Sequence, residues 1–121
     1  MAVLGRFLNE HNRNVLVVNG HSIEEGGFIL NERPVREAMG ELVVRIEPDT
    51  HHMYIAKGTL ERWCAERRVP VKSFYNDIEK KGIVLSLKTR KRLAENTAAA
   101  GVPVPVIWLD TTKLSLPELN V

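Results

Sequence analysis

The stretch KGTLERWCAERRVPVKSFYNDIEKKGIVLSLKTRKR, residues 57–92, decides the fold because the spacing of its apolar residues changes along it. A period of about 3.6 predicts one helix from about Lys57 to Arg68 and, after Val69-Pro70, a second helix that ends at Lys81-Gly82. The two apolar stripes contain Leu60, Trp63 and Cys64 in the first helix and Val71, Phe74, Tyr75 and Ile78 in the second. We therefore expect Trp63 and Phe74 to be buried in or near one shared core.

Beyond Gly82 the sequence predicts a short β-hairpin. Ile83–Leu87 and Arg92–Ala94 are its two expected strands, and Lys88-Thr89-Arg90-Lys91 forms its basic tip. Two helices joined by a three-residue break and followed by such a hairpin are the parts of a winged helix–turn–helix. The winged-helix-like segment then spans about residues 57–94.

The flanking sequence adds strands on both sides of this segment. The expected elements are a short helix at Leu4–His11, strands at Val15–Val18 and Phe28–Leu30, a hairpin of Leu42–Glu47 with Met53–Ala56, and an edge strand at Val102–Leu109 limited by its prolines. The predicted fold class is therefore α+β, with a winged helix–turn–helix-like core, additional N-terminal strands and a β-hairpin.

Length and composition favour one domain over residues 1–121. The chain has 121 residues and 44% hydrophobic residues, which is enough for one core without metals or disulfides. A single cysteine, Cys64, excludes an internal disulfide and favours a reducing, cytoplasmic location. Residues 1–13 contain Arg6, Glu10 and Arg13 and no long apolar run, so we expect neither a signal peptide nor membrane association.

The net charge of +2 conceals a strong asymmetry along the chain. Residues 57–92 contain eleven Lys or Arg and four acids, a net charge of +7, whereas the rest of the chain carries −5. Binding to a polyanion requires cations that are concentrated in one region, because each contact neutralises a phosphate. A basic segment on an acidic body therefore favours nucleic acid as the partner, and the alternative is a solvated charged face.

Two groups of side chains are the candidate nucleic-acid contacts. The exposed side of the second helix should carry Lys72, Ser73, Asn76, Asp77 and Lys80, and the hairpin tip and its border carry Lys88, Arg90, Lys91 and Arg92. Asn76 is the best base-reading candidate, because an amide can pair with adenine in the major groove, while the lysines suit phosphates. Asp77 and Glu79 count against this face because they repel phosphates.

The sequence contains no convincing catalytic, metal or cofactor site. Asp49, His51 and His52 share a turn from which they would point in different directions, and further ligands are missing. Gly26-Gly27 lacks the spacing of a phosphate-binding loop. Cys64 lies on an apolar helical stripe, which is typical of a buried structural thiol. We therefore predict that the protein is not an enzyme.

Several stretches give the chain a family resemblance. They are Phe7–Asn9 with Asn14–Asn19, Pro34–Glu37 leading into Leu42–Thr50, Met53–Ala56, Trp63-Cys64 and Lys91–Leu93. In these stretches the chain resembles the C-terminal region of helicase or primase–helicase proteins of phages and integrative elements, whose ATPase domain lies upstream. The resemblance implies an accessory DNA-binding role in mobile-element replication, with a helicase or ATPase domain or replication protein as partner. It does not imply ATPase activity here, because the chain has no P-loop.

Two functions remain open at this point. The first is a non-catalytic nucleic-acid-binding module, with double-stranded DNA as the expected form. The second is a protein-interaction or oligomerisation domain of a replication or conjugation complex, which would use an exposed hairpin edge or the Val102–Leu109 strand.

Overall fold

The computed structural model of the chain describes residues 2–18, 23–25, 28–30, 37–95 and 101–114. Within these ranges the protein is α+β, with three α-helices and a five-stranded mixed sheet. The helices are α1 (Ala2–Glu10), α2 (Lys57–Glu66) and α3 (Val71–Lys80), and the strands are β1 (Val15–Val17), β2 (Ile23–Glu25), β3 (Phe28–Leu30), β4 (Val44–Glu47), β5 (His52–Ala56), β6 (Val84–Lys91) and β7 (Val104–Asp110). The coarse fold class predicted from the sequence is confirmed.

The five-stranded sheet has the order β1-β4-β5-β7-β6, and β2 and β3 form a separate antiparallel pair. β1 is parallel to β4, whereas the other neighbouring strands are antiparallel. The predicted hairpin of β4 and β5 is confirmed, with Val44 opposite Ile55. The expected strands at Val15–Val18 and Phe28–Leu30 are confirmed as β1 and β3.

All three predicted helices are present, because their apolar residues recur with the helical period. The N-terminal helix, expected at Leu4–His11, is α1. α2 ends at Glu66, slightly earlier than expected, and α3 ends at Lys80. Gly82 follows with a φ of +71°, and its amide donates to the Glu79 carbonyl at 3.0 Å. Glycine therefore ends α3 in the left-handed conformation, as predicted.

The three helices share one hydrophobic core with the sheet. Trp63 of α2 and Phe74 of α3 are each only 4% exposed and belong to this core, which confirms the predicted pairing. Phe7 of α1 meets the Trp63 ring edge-on at a centroid distance of 5.4 Å. Ile55 of β5 and Leu109 of β7 contribute from the sheet and are fully buried.

The predicted hairpin within residues 83–94 is wrong. β6 is one strand from Val84 to Lys91, so the expected tip, Lys88–Lys91, lies inside it, and residues 92–94 do not form a strand. Its partner is β7, with Lys91 opposite Val104. The four-residue tip was inferred from charge, but it has no Gly, Pro, Asn or Asp to favour a turn. An edge strand tolerates the two exposed cations Lys88 and Arg90.

The prediction that Val102–Leu109 is an edge strand is also wrong. β7 lies between β5 and β6, and β6 is the strand at the edge. The prolines do not interrupt the sheet because Pro103 precedes β7 and Pro105 lies beyond the last pair with β5, Ala56 opposite Val106. Only β6 is paired at Pro105, so its missing amide removes no bond to β5.

Two glycine substitutions should change stability in opposite directions. Gly82→Ala should lower the free energy of unfolding by about 1 kcal/mol, because alanine is strained at positive φ. Gly5→Ala should raise it by about 0.5–1 kcal/mol, because Gly5 is helical and a Cβ there meets no atom within 4 Å. Urea unfolding of both variants tests this, and a stabilised Gly82→Ala protein would contradict the assignment of the α3 end.

Candidate nucleic-acid interface

The exposed side of α3 carries the polar residues that the sequence predicts. Lys72, Ser73, Asn76, Asp77 and Lys80 are all exposed, whereas Phe74 and Ile78 are buried. The side chains of these five polar residues make no hydrogen bond or ion pair with any other residue of the described ranges. These polar groups are therefore available to a ligand as far as the described residues show. The face carries two lysines, Lys72 and Lys80, and one carboxylate, Asp77.

The four predicted cations after α3 do not behave alike. Lys88, Arg90 and Arg92 are exposed, whereas Lys91 is half-buried. The Lys91 ammonium lies 2.6 Å from Glu95 Oε2 and 4.0 Å from Glu47 Oε2, and it stacks 5.0 Å from the centroid of the Tyr54 ring. Its charge is balanced within the fold, so we do not expect Lys91 to neutralise a phosphate.

Arg90 combines an exposed position with an internal contact. Its Nη2 donates to the Pro103 carbonyl at 3.2 Å, which links β6 to the residue before β7. Lys88 makes no such hydrogen bond with the described residues, and Arg92 interacts electrostatically with the Glu95 carboxylate. These two cations, together with part of the Arg90 guanidinium, form the basic surface of the edge strand and its end.

Three cations outside the predicted site also differ in whether they make contacts within the fold. Lys57 donates to the Leu87 carbonyl at 3.0 Å and lies 5.7 Å from the centroid of the Tyr75 ring. Arg67 is paired with Glu10, and its guanidinium lies 5.5 Å from the Trp63 ring. Arg62 is exposed. The +7 charge of the segment is therefore divided between cations that stabilise the fold and cations that face solvent.

A buried ion pair, which sequence reasoning missed, supports the end of β6. Arg45 of β4 is fully buried, and its Nε donates to Glu47 Oε2 at 2.7 Å. Its Nη1 donates to the carbonyls of Leu93, at 3.0 Å, and Glu95. Glu47 also accepts a hydrogen bond from Thr50 Oγ1 at 2.8 Å. Arg45 therefore fixes the backbone immediately after the β6 cations.

The aromatic residues next to this pair form a row across the same face of the sheet. Tyr54 stacks on Trp108 with a centroid distance of 5.7 Å, and His52 meets Trp108 edge-on at 5.0 Å. Burial, with a further contribution from the Glu47 carboxylate, raises the pKa of Tyr54 to about 12. The hydrogen bond from Lys91 lowers the pKa of Glu95 by stabilising its carboxylate form. This face is therefore a structural polar layer.

The described residues contain no group of three or more His, Cys, Asp or Glu side chains that could hold a metal ion. His51 is exposed on the β4–β5 turn, and His52 lies 4.0 Å from Glu47. Cys64 is fully buried, as predicted, and burial raises the pKa of its thiol. Gly26-Gly27 lies outside the described ranges.

One cavity of about 480 Å³ lies beside the start of α2. Its floor is apolar and includes Leu42, Leu93 and Val104, and its polar lining includes Glu41 and Arg62. Among the described lining residues, Glu41 is the one carboxylate, and there is no histidine or cysteine.

Comparisons of the chain with protein-family models, with curated proteins and with solved structures each find no match. The resemblance to phage and integrative-element helicases therefore stays a prediction. In the described ranges, the longest helices have ten residues, and none is long and apolar enough to cross a membrane.

The buried Arg45–Glu47 pair should make a large contribution to stability. Arg45→Met should lower the free energy of unfolding by about 3–5 kcal/mol, because it leaves the Glu47 carboxylate buried without its main partner. The double variant Arg45→Met/Glu47→Leu should recover part of that loss. Urea unfolding measures both values.

Arg67→Met provides the matched control, since its pair with Glu10 is exposed to solvent and should contribute much less. A double variant no more stable than Arg45→Met, or an equal loss for Arg67→Met, would contradict the assigned role of the buried pair.

Proposed function

We propose that this chain is a non-catalytic DNA-binding module that uses α3 and the basic end of β6 as one surface. The observation that carries the proposal is the set of exposed cations in residues 57–92 whose side chains make no hydrogen bond or ion pair within the described residues. Lys72 and Lys80 lie on α3, and Lys88 and Arg92 lie on or just after β6. Cations without internal partners can release counterions when they meet phosphates, which drives binding to nucleic acid.

The order of the elements supports a winged-helix arrangement. α2 and α3 lie in the chain between β5 and β6, and β7 returns antiparallel between these two strands. A strand, two helices and two further strands, with the last strand in the centre, are typical of winged helices. In this proposal α3 is the recognition helix, and the antiparallel pair of β6 and β7 takes the part of the winged hairpin, in place of a hairpin within residues 83–94.

The exposed residues of α3 suit a major groove. Asn76 can pair with an adenine edge, and Lys72, Ser73 and Lys80 suit phosphates. Asp77 lies on the same face, and its carboxylate repels phosphates. It therefore disfavours orientations of the duplex that place a phosphate beside it. Double-stranded DNA is therefore the form that we propose, with a cytoplasmic location and no cofactor.

The resemblance described above favours a setting in mobile-element replication. We propose a helicase or ATPase domain, or another replication protein, as the partner of this module. One observation favours a second candidate function, a protein-interaction or oligomerisation domain. β6 lies at the sheet edge, and its Leu85 is 47% exposed, so another chain could pair with this strand.

Salt-dependent DNA binding tests the proposal. Fluorescence polarisation with a random duplex and a single strand should show binding that weakens linearly in log Kd against log salt concentration. Lys72→Ala and Lys88→Ala should each reduce the magnitude of the duplex slope by about 0.9, because each removes one phosphate contact. Asp77→Asn should strengthen binding by removing a repelling carboxylate.

Arg13→Ala is the control, because Arg13 is exposed and lies outside the proposed surface. It should leave the slope unchanged, and all four variants should melt near the parent protein. No binding of the parent to either form of DNA would reject the proposal. Self-association of that parent in sedimentation experiments would then favour the second candidate function.

A further inference from the structure

The turn between α2 and α3 contains an arginine where a helix end usually has glycine. Arg68 has a φ of +56°, in the left-handed region. The Val69 amide donates to the Cys64 carbonyl at 2.8 Å, and the Arg68 amide donates to the Ala65 carbonyl at 3.2 Å. These two bonds define a Schellman motif with Arg68 at the left-handed position. The hydrogen bonds at the end of α2 therefore require the left-handed conformation at Arg68.

The same chain ends its next helix in the favoured way. Gly82 takes the left-handed position after α3, with a φ of +71°. A residue with a Cβ is less stable in this conformation than glycine, because the Cβ approaches the following carbonyl oxygen. Arg68 therefore reduces stability relative to glycine at the same place, and such strain is often associated with function.

The side chain of Arg68 does not compensate for this loss. It is exposed and makes no hydrogen bond or ion pair with any residue of the described ranges. The neighbouring Arg67 is different, since it pairs with Glu10 and stacks on Trp63. Of these two adjacent arginines, only Arg67 stabilises the fold, and Arg68 presents an unused guanidinium to solvent.

The position of Arg68 connects it with the proposed DNA surface. It precedes α3 by three residues, and Lys72 and Ser73 lie in the first turn of that helix. We propose that Arg68 binds a phosphate of the DNA backbone and that the strained turn holds its guanidinium beside the exposed face of α3. This inference rests on the proposed function, and it adds a contact that the sequence pattern does not indicate.

The substitution Arg68→Gly tests the inference because it should have opposite effects on folding and binding. Relief of the strain should raise the melting temperature by roughly 2–5 °C. Loss of the phosphate contact should weaken duplex binding roughly three- to tenfold near 0.1 M salt and reduce the magnitude of the slope against log salt by about 0.9. Arg68→Asn should weaken binding equally, because asparagine tolerates the left-handed region but has no charge.

His51→Gly is the matched control. His51 is the other described non-glycine residue with positive φ, at 59°, and it lies on the β4–β5 turn, outside the proposed surface. His51→Gly should also raise the melting temperature but leave DNA binding unchanged.

The outcomes separate the two levels of the proposal. A parent protein that does not bind DNA overturns the proposed function and this inference together. If the parent binds and Arg68→Gly keeps its affinity and slope, the inference is overturned while the proposed function stands. A melting temperature that does not rise in Arg68→Gly overturns the claim that the left-handed arginine weakens the fold.

Discussion

The position of the edge strand depends on one buried guanidinium. Arg45 has no exposed surface, and it donates both to Glu47 on its own strand and to the carbonyls of Leu93 and Glu95. A buried cation is tolerated only where paired charges and carbonyls replace its hydration. Because the two carbonyls belong to the turn after β6, Arg45 links β4 to the backbone at the point where the basic strand ends. Lys91 joins the same group through Glu95 and Glu47.

The opposite face of the sheet determines which side of α3 is exposed. Phe74 and Ile78 are buried in the core with Trp63, so the polar residues between them must face solvent. The proposed surface therefore combines a helix oriented by the hydrophobic core with a strand end oriented by a buried ion pair.

Net charge alone overstates how many cations are available to a ligand. Lys57 and Arg67 carry out structural roles, with a carbonyl and a carboxylate as their partners, and Lys91 is balanced by Glu95. Arg68 and Lys72 have no such partners among the described residues. The distinction matters because a cation that is already balanced by a carboxylate, or held within the fold, is less available to neutralise a phosphate. The basic segment is thus smaller as a binding surface than its sequence suggests.

The sequence by itself determined the helices and the exposed side of α3, because a period of 3.6 residues is a local property that Trp63, Phe74 and Ile78 make visible. It also determined the β4–β5 hairpin, whose turn residues are adjacent in the chain. Only the tertiary structure decided that β6 pairs with β7, that β7 is internal, and that Arg45 is buried beneath the turn after β6. The reason is physical: the pairing of β6 with β7 and the bonds from Arg45 to the carbonyls of Leu93 and Glu95 join residues that are distant in sequence. The charge of Lys88–Lys91 is the same whether it forms a hairpin tip or an edge strand.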